Sequence, residues 1–447
     1  MENSAGCEMG LVARIVVVLS AFPVSCGGGG GSTGVLNSDP VSFAWTHERA
    51  VEAQDLSVAV SVSGDALVAW AFSGGSYSKV CVQWLIQDSS AVQLSPAGVA
   101  AWTPRVAVDS NGGAVAIWVQ YDGGLRARVW GSRWDGSGWG IPQQISTNGA
   151  ADASVPELGS DAVGNAIAVW HQGNGSANHF DVCASQLSAG GNWSSPFFLS
   201  DGSNSAYNPR VSMNGMGDAW VVWSQDQGDG SLSNVPRDTW ARRYHASSWG
   251  IPTQVNSISG ATNHVKGQIA IGMDSNGNSV ALWIQSGTPG SGTRLLWAAR
   301  HPAGGAWGAA EIVSTTALGD AFDPEIALDA AGHAVAVWQQ QDGASASIAF
   351  SECDWGAVWS TPQLVSSGAD AFDPQVAIDQ GEVASILWYQ TEASGVTVQS
   401  CTIHAGVPSS PTPRDTFSVD PYLYFPIPRV AANGAGTVSI VWGLGEM

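Results

Sequence analysis

Positive charge is scarce in this chain. Its 447 residues include 16 lysines and arginines against 37 aspartates and glutamates, a net charge of −21, and Lys79 and Lys266 are its only lysines. A surface of that sign repels phosphate backbones, which argues against nucleic acid as a partner. Charge of either sign is also thin, at 12% of residues. A disordered polyelectrolyte needs more charge and fewer aromatics than a chain with 22 tryptophans, so a packed core is expected. Apolar residues show no 3.6-residue periodicity, which excludes a helical solenoid. Sequence patterns of the GxSxG, HExxH, zinc-type CxxC and phosphate-loop kinds are missing. Of six cysteines, Cys7 and Cys26 stand near the N-terminus. Cys81, Cys183, Cys353 and Cys401 recur at similar places and read as small buried hydrophobes, with a Cys353–Cys401 bridge as the alternative. Beyond residues 11–25 no apolar stretch approaches membrane length.

What the chain does have is a repeat. PRVAVDSNGGAVAIW (104–118) is an apolar run, a Gly-containing turn and a second apolar run ending in tryptophan, the pattern of a β-hairpin. It returns at 155–170, 209–223, 324–338, 374–388 and 428–442, and more loosely at 56–70 and 268–283. The closing tryptophans are 70, 118, 170, 223, 283, 338, 388 and 442, spaced 48 to 60 residues apart. A period of that size means a repeat architecture.

Within 104–154 the pattern predicts strands at Arg105–Asp109, Ala114–Gln120, Leu125–Trp134 and from Trp139 onward. The last recurs as WSSPFFLS, WGIPTQVN, WGAAEIVS and WSTPQLVS. Four short antiparallel strands per repeat make the blade of a β-propeller. The fold class expected is therefore all-β: a propeller of eight four-stranded blades, with seven as the alternative. Repeats start near 54, 104, 155, 209, 268, 324, 374 and 428. The last stops after two strands, and FAWTHERAVEA (43–53) is expected to supply its outer strand, closing the ring by pairing the two ends of the chain. Tryptophans at fixed repeat positions are read as blade-to-blade packing. Trp84, Trp102, Trp130, Trp134, Trp220, Trp240, Trp297 and Trp355 fall outside the pattern.

Residues 11–25, LVARIVVVLSAFPVS, followed by Cys26 and GGGGGSTG, resemble a bacterial lipoprotein signal. Pro23, where that family usually has leucine, and the acidic residues before Met9 depart from it; Met9 is an alternative start. The resemblance implies a signal peptide at 1–25, a lipidated Cys26 with a tether at 26–39, and one propeller domain at 40–447. It also implies export to a bacterial cell envelope, with Gly27 favouring the outer membrane; plain secretion is the alternative. Together with the repeats, this start resembles the bacterial β-propeller lipoproteins at large. The barrel-assembly propeller lipoprotein of that group shares anchor and blade number but carries a different repeat turn.

Candidate functional residues come from two period-locked positions. Thirteen residues before the repeat tryptophan stand Ser57, Arg105, Glu157, Arg210, Glu325, Gln375 and Arg429, with Gln268 taken as the counterpart in the looser copy. First strands line a propeller's channel, so these form a ring at its mouth, either as Arg–Glu pairs filling the channel or as a ligand-contacting set. Three residues ahead of the ring position, Trp102, Tyr207, Phe322 and Phe372 each precede a polar residue: Thr103, Asn208, Asp323 or Asp373. These are read as linkers on the same face, acting either as hydrophobic plugs or as sugar-stacking platforms. The histidines read mostly as turn or surface residues.

The turns DSNGG, DAVGN, DSNGN and DAAGH distantly resemble the Asp-box hairpin of sialidases, without its serine and threonine. A sialidase needs an arginine triad, for which Arg105, Arg210 and Arg429 are available, and a Tyr/Glu nucleophile pair, for which no tyrosine is suitably placed. A general glycosidase needs two facing carboxylates, for which Glu157 and Glu325 are the candidates. The same turns also resemble integrin-type calcium loops, most nearly at Asp274, Asn276 and Asn278; ordinary turn chemistry accounts for them, and no cofactor is expected. The expectation is a non-enzymatic, envelope-anchored, monomeric binding propeller whose partner is a glycan or a cell-envelope protein. A sialidase-like or other glycoside hydrolase, and a scaffold in an outer-membrane assembly complex, are the alternatives.

Overall fold

The computed structural model describes residues 16–21 and 53–446, apart from 73–76, 86–89, 148–150, 176–178, 228–236, 257–263, 287–291, 344, 367, 369, 394, 418–422, 425–426, 434–436 and 443–444. Cys26 and the strand expected at 43–53, save its last residue, lie outside the described residues.

The protein is an all-β propeller of seven blades, each a four-stranded antiparallel sheet in up-and-down order. The second blade is typical: Ala101–Val108, Ala114–Tyr121, Ala127–Trp134 and Gln143–Gln144. The fourth and seventh blades add one short pairing to this plan. Seven, the smaller of the two expected counts, is the number because the eighth repeat contributes a two-stranded hairpin, Arg429–Ala432 and Thr437–Trp442, and a two-residue strand, Gly445–Glu446, that pairs apart from it with Leu423–Tyr424. That hairpin stands between the seventh and first blades, packing Val438, Ile440 and Val441 with Leu387 and Tyr389 on one side and Leu56 and Trp70 on the other. Its outer strand pairs antiparallel with Val16–Ala21, inside the expected leader.

Four local devices explain the repeat. In the hairpin turn a carboxylate or amide replaces ladder bonds: Asp109 Oδ1 accepts the backbone N–H of Asn111 and Gly113, both at 2.8 Å. Asp161, Asn214, Asp274, Asp329 and Asp379 do the same. In the third strand, an edge N–H is capped by the Ser or Asn that follows the outer strand, as where Val129 N–H donates to Ser146 Oγ at 3.0 Å. Outer strands are therefore mostly two residues long, which leaves little edge for another chain to pair with.

The third device is a bulge. Trp102 pairs with Val119 and Arg105 with Ile117, so Thr103 and Pro104 together oppose Trp118. The same one-residue slip recurs in five other blades. The first bulge residue has positive φ (Thr103 50°, Asn208 50°, Asp323 45°, Asp373 53°), a region that Asn and Asp tolerate best. The proline next to it needs no ladder N–H. Inner strands thus begin about four residues earlier than the sequence suggests: Trp102, Tyr207, Phe322 and Phe372 lie within them rather than in linkers. The αL residue and proline that look like a loop are a kink inside a continuing ladder.

The fourth device is a buried pair. The repeat tryptophan donates its indole N–H to a glutamine two residues on in six blades, from Trp338–Gln340 at 2.8 Å to Trp388–Gln390 at 3.2 Å. Gln340 Nε2 in turn donates to the carbonyls of Leu318 and Asp320, tying the strand to the chain entering its own blade.

Core residues gather between blades rather than within them. One cluster joins Val80 and Trp84 of the first blade to Val106 and Trp118 of the second, with Trp139 packed against it. Trp193, Trp249, Trp307 and Trp359 fill the corresponding seams. Several off-pattern tryptophans are core as well: Trp84, Trp220 and Trp297 are buried, and Trp130, Trp134, Trp240 and Trp355 pack against seams. The four described cysteines are buried and unbridged, Cys353 and Cys401 included, and burial pushes the thiols of those two up to about 12.

Candidate functional site at the channel mouth

The inner strands converge on a cavity of about 210 Å³ at the channel axis. Each blade and the closing hairpin contribute to it, through Ser57, Arg105, Glu157, Arg210, Ala270, Glu325, Gln375 and Arg429. The ring read from the repeat is thus one physical constellation, with one exception. In the fifth blade Ala270, opposite Leu282 and thirteen residues before Trp283, occupies the ring position; the wider bulge between His264 and Ile269 lies ahead of it and leaves that offset intact. Gln268 reaches outward instead and donates to Asp323 Oδ1 at 3.1 Å.

The ring is electrostatically uneven. In the second and third blades Arg105 and Glu157 are closed on each other, and Arg210 of the fourth joins them through Nη1 alone. Arg105 grips Glu157 with two parallel bonds, Nε to Oε2 at 3.2 Å and Nη2 to Oε1 at 3.1 Å, and Arg210 Nη1 reaches the same Oε1 from the other side. Burial alone would raise the Glu157 carboxyl; Arg105 and then Arg210 overcome it and hold it at about 2. Arg105 spends its remaining reach on the Pro104 carbonyl at 2.9 Å.

The other half is looser. Arg429 donates Nε to the Leu56 carbonyl at 3.0 Å and Nη1 to Gln375 Oε1 at 2.9 Å, both neutral acceptors. Among the described residues no carboxylate lies within ion-pair distance of it. Burial, then repulsion from Arg105, lowers its guanidinium to about 10. Glu325 is raised by burial more than Arg210 and Arg429 lower it. Above the ring, the bulge residue Asp373 is raised to about 6 by burial and then by Asp323, itself raised by burial. The carboxylates of one cavity are therefore pushed in opposite directions.

The aromatics sit on the same face, further out, and none lines the cavity. All four are half-buried. Trp102 meets Tyr121 edge-on at 4.9 Å, and Phe372 packs on Tyr389 at 5.7 Å. Arg294 of the preceding blade covers Phe322 at 5.0 Å, and Arg237 covers Tyr207 at 4.7 Å. All are partly exposed, and Tyr207 also meets Phe180 at 5.5 Å and His171 at 6.1 Å.

Two histidines are buried rather than superficial, His171 and His301. His171 accepts the Asn208 N–H at Nδ1 (3.3 Å), so its Nε2 carries the proton and donates to Ser154 Oγ at 2.8 Å. That polarity is the reverse of what an activated serine needs. At the turn Asp274, Oδ1 accepts backbone N–H groups and Oδ2 accepts the Asn278 amide at 2.7 Å. Among the described residues no group of three or more His, Cys, Asp or Glu side chains is arranged to hold a metal ion.

Fold and site together define a propeller with a polar, charge-lined channel mouth. No protein-family model matches the chain, and no curated protein does. Among solved structures it is similar to the polysaccharide lyase Uly1, at 10% identity and a TM-score of 0.48 over 93% of this chain and 94% of that one. A PL25 ulvan lyase bound to -[GlcA(1-4)Rha3S]- matches at 12% identity and a TM-score of 0.47, over 73% and 84% of the two chains. The α-L-arabinanase of Penicillium chrysogenum complexed with arabinobiose matches at 13% and 0.41, over 69% and 94%. The propeller assignment rests on the blade sheets themselves.

Proposed function

We propose that the chain is an exported binding propeller, lipid-anchored at Cys26 in a bacterial outer membrane, whose channel-mouth face takes a glycan without turning it over. One observation carries this reading: a cavity lined by every blade, with guanidinium donors of Arg210 and Arg429 left open, has partly exposed aromatics at a fixed offset of three residues from its ring in four of the seven blades. Aromatic faces take the C–H surface of a sugar ring while neighbouring amides and carboxylates take its hydroxyls. Each contact contributes on the order of 1 kcal/mol, and repetition around the ring turns weak contacts into avidity. Glu157, bound by two arginines and held at about 2, is unsuited to donating a proton near neutral pH.

Glycan-array binding by the purified chain, lost in Trp102→Ala and Phe372→Ala at unchanged melting temperature, is the expected result. Binding to an envelope protein but to no glycan would replace this reading with the scaffold one. Anchoring is tested by metabolic labelling with a palmitate analogue, which marks the wild type and misses Cys26→Ala.

One observation favours a second reading, glycoside hydrolysis: the opposed shifts of Glu157 and Glu325 are what an acid/base pair requires. Turnover of a glycoside abolished by Glu325→Gln would establish it.

A further inference from the structure

The three ring arginines are not equivalent. Arg105 has Nε, Nη1 and Nη2 all engaged by Glu157 and Pro104. Arg210 uses Nη1 alone, on Glu157, leaving Nε and Nη2 without an acceptor among the described residues. Arg429 has Nε and Nη1 on neutral groups and Nη2 likewise unaccepted. The two open guanidiniums line the same cavity, and both act on Glu325, which makes no ion pair with either among the described residues. An arginine that is desolvated and matched only by neutral acceptors has its strongest remaining interaction with a planar anion, since a carboxylate accepts two parallel N–H bonds.

Size restricts the ligand further. Sites that enclose drug-sized molecules run to roughly 300–1,000 Å³, so a cavity of about 210 Å³ admits one small group or one sugar residue entered end-on, not a chain passing through. The aromatics, lying outside the cavity on the same face, are then placed for the residues that follow.

Resting on the glycan reading above, we infer that the channel mouth recognises the terminal, carboxylate-bearing residue of an acidic glycan, with Arg429 and Arg210 as the carboxylate's anchors and the aromatic rim receiving the next sugars. Glu325, the nearby acid, opposes the ligand's charge when ionised. Its burial-raised affinity for a proton lessens that opposition as pH falls, and Asp323 and Asp373 above the ring act in the same sense. Arg105 and Glu157, which lie between the two anchors on one arc of the ring, stay paired throughout.

The test is calorimetric titration of the full chain with trigalacturonate, its methyl ester and neutral galactotriose. Trigalacturonate should bind at least tenfold more tightly than either neutral probe. Arg429→Gln should cost tenfold or more, and Arg429→Lys, which keeps the charge and loses the fork, should fall between. Glu325→Gln leaves the arginine contacts in place; it should tighten trigalacturonate binding several-fold and flatten its weakening as pH rises. That variant keeps the question answerable if Arg429→Gln unfolds. Equal binding of acid and neutral probes, or unchanged affinity in a folded Arg429→Gln, overturns the anion assignment and leaves glycan binding standing. No binding of any of the three, with a blank glycan array, overturns the glycan reading itself. Binding of neutral glycans alone on the array overturns only the inference.

Discussion

Replacing Glu157 by glutamine should destabilise the propeller by an amount that depends on pH in a defined window. The side chain keeps its size and loses its charge, while Arg105 and Arg210 stay in the ring with no anion between them. Two estimates bear on the cost. The carboxyl is held at about 2 against an ordinary 4.5, a displacement worth roughly 3 kcal/mol. Removing one member of a buried ion pair costs about 3–5 kcal/mol, and the partial exposure of Arg210, 35% against 14% for Arg105, moves the expectation to the low end, ~2–3 kcal/mol. The sign follows from linkage: a depressed acid stabilises the fold fully above its unfolded value, and that contribution is lost as pH falls from about 4.5 through about 2. Urea unfolding at pH 7 should therefore separate wild type from Glu157→Gln by ~2–3 kcal/mol, and the gap should close as pH falls toward 2. A gap under about 0.5 kcal/mol at pH 7, the scatter of ordinary surface substitutions, or one that does not change with pH, would refute the view that this carboxylate is an ionised brace.

Three further outcomes follow from the same geometry. His171 is held neutral by burial at about 4 against 6.5, so it withdraws ~3 kcal/mol of stability as pH falls from 6.5 to 4; urea midpoints of His171→Gln should lack that part of the slope. Gln340→Ala strands the buried Trp338 indole and the Leu318 and Asp320 carbonyls, and should cost ~2–3 kcal/mol, read by chemical unfolding. Deleting 428–447 uncovers Leu56, Trp70, Leu387 and Tyr389 at once, and should make the first and seventh blades the earliest sites of limited proteolysis.

The blades, the Asx turns and the ring were legible because each is locked to the period, and a residue recurring at one offset must occupy one place in every blade. That is why Arg105, Glu157, Arg210, Glu325, Gln375 and Arg429 meet in one cavity although they are more than 320 residues apart at the extremes. The lock holds in the fifth blade as well: Ala270 stands thirteen residues before Trp283 and lines the cavity, and Gln268, two residues further ahead, is not its counterpart. Trp102 and its counterparts lie in strands where the sequence suggests linkers, because an αL residue followed by proline has the same local chemistry in a turn and in a bulge, and only the pairing partner across the strand distinguishes them. The tryptophan–glutamine pair has a sequence signature of its own, glutamine two residues after tryptophan in six repeats. Which arginine is left open was not legible, because it depends on which blade neighbours lean toward each other.

The cores between blades have a consequence for how such a chain can grow or shrink. Each repeat brings half of two seams, so none is a self-sufficient unit, and a copy inserted in register supplies the halves its neighbours lack. A repeat removed leaves two facing half-cores that were built for the missing one. Copy number can therefore change by whole repeats much more readily than by single strands, and the strand-poor hairpin at 429–442, which completes its seam with half the usual material, is the joint where the ring can accommodate a change of circumference.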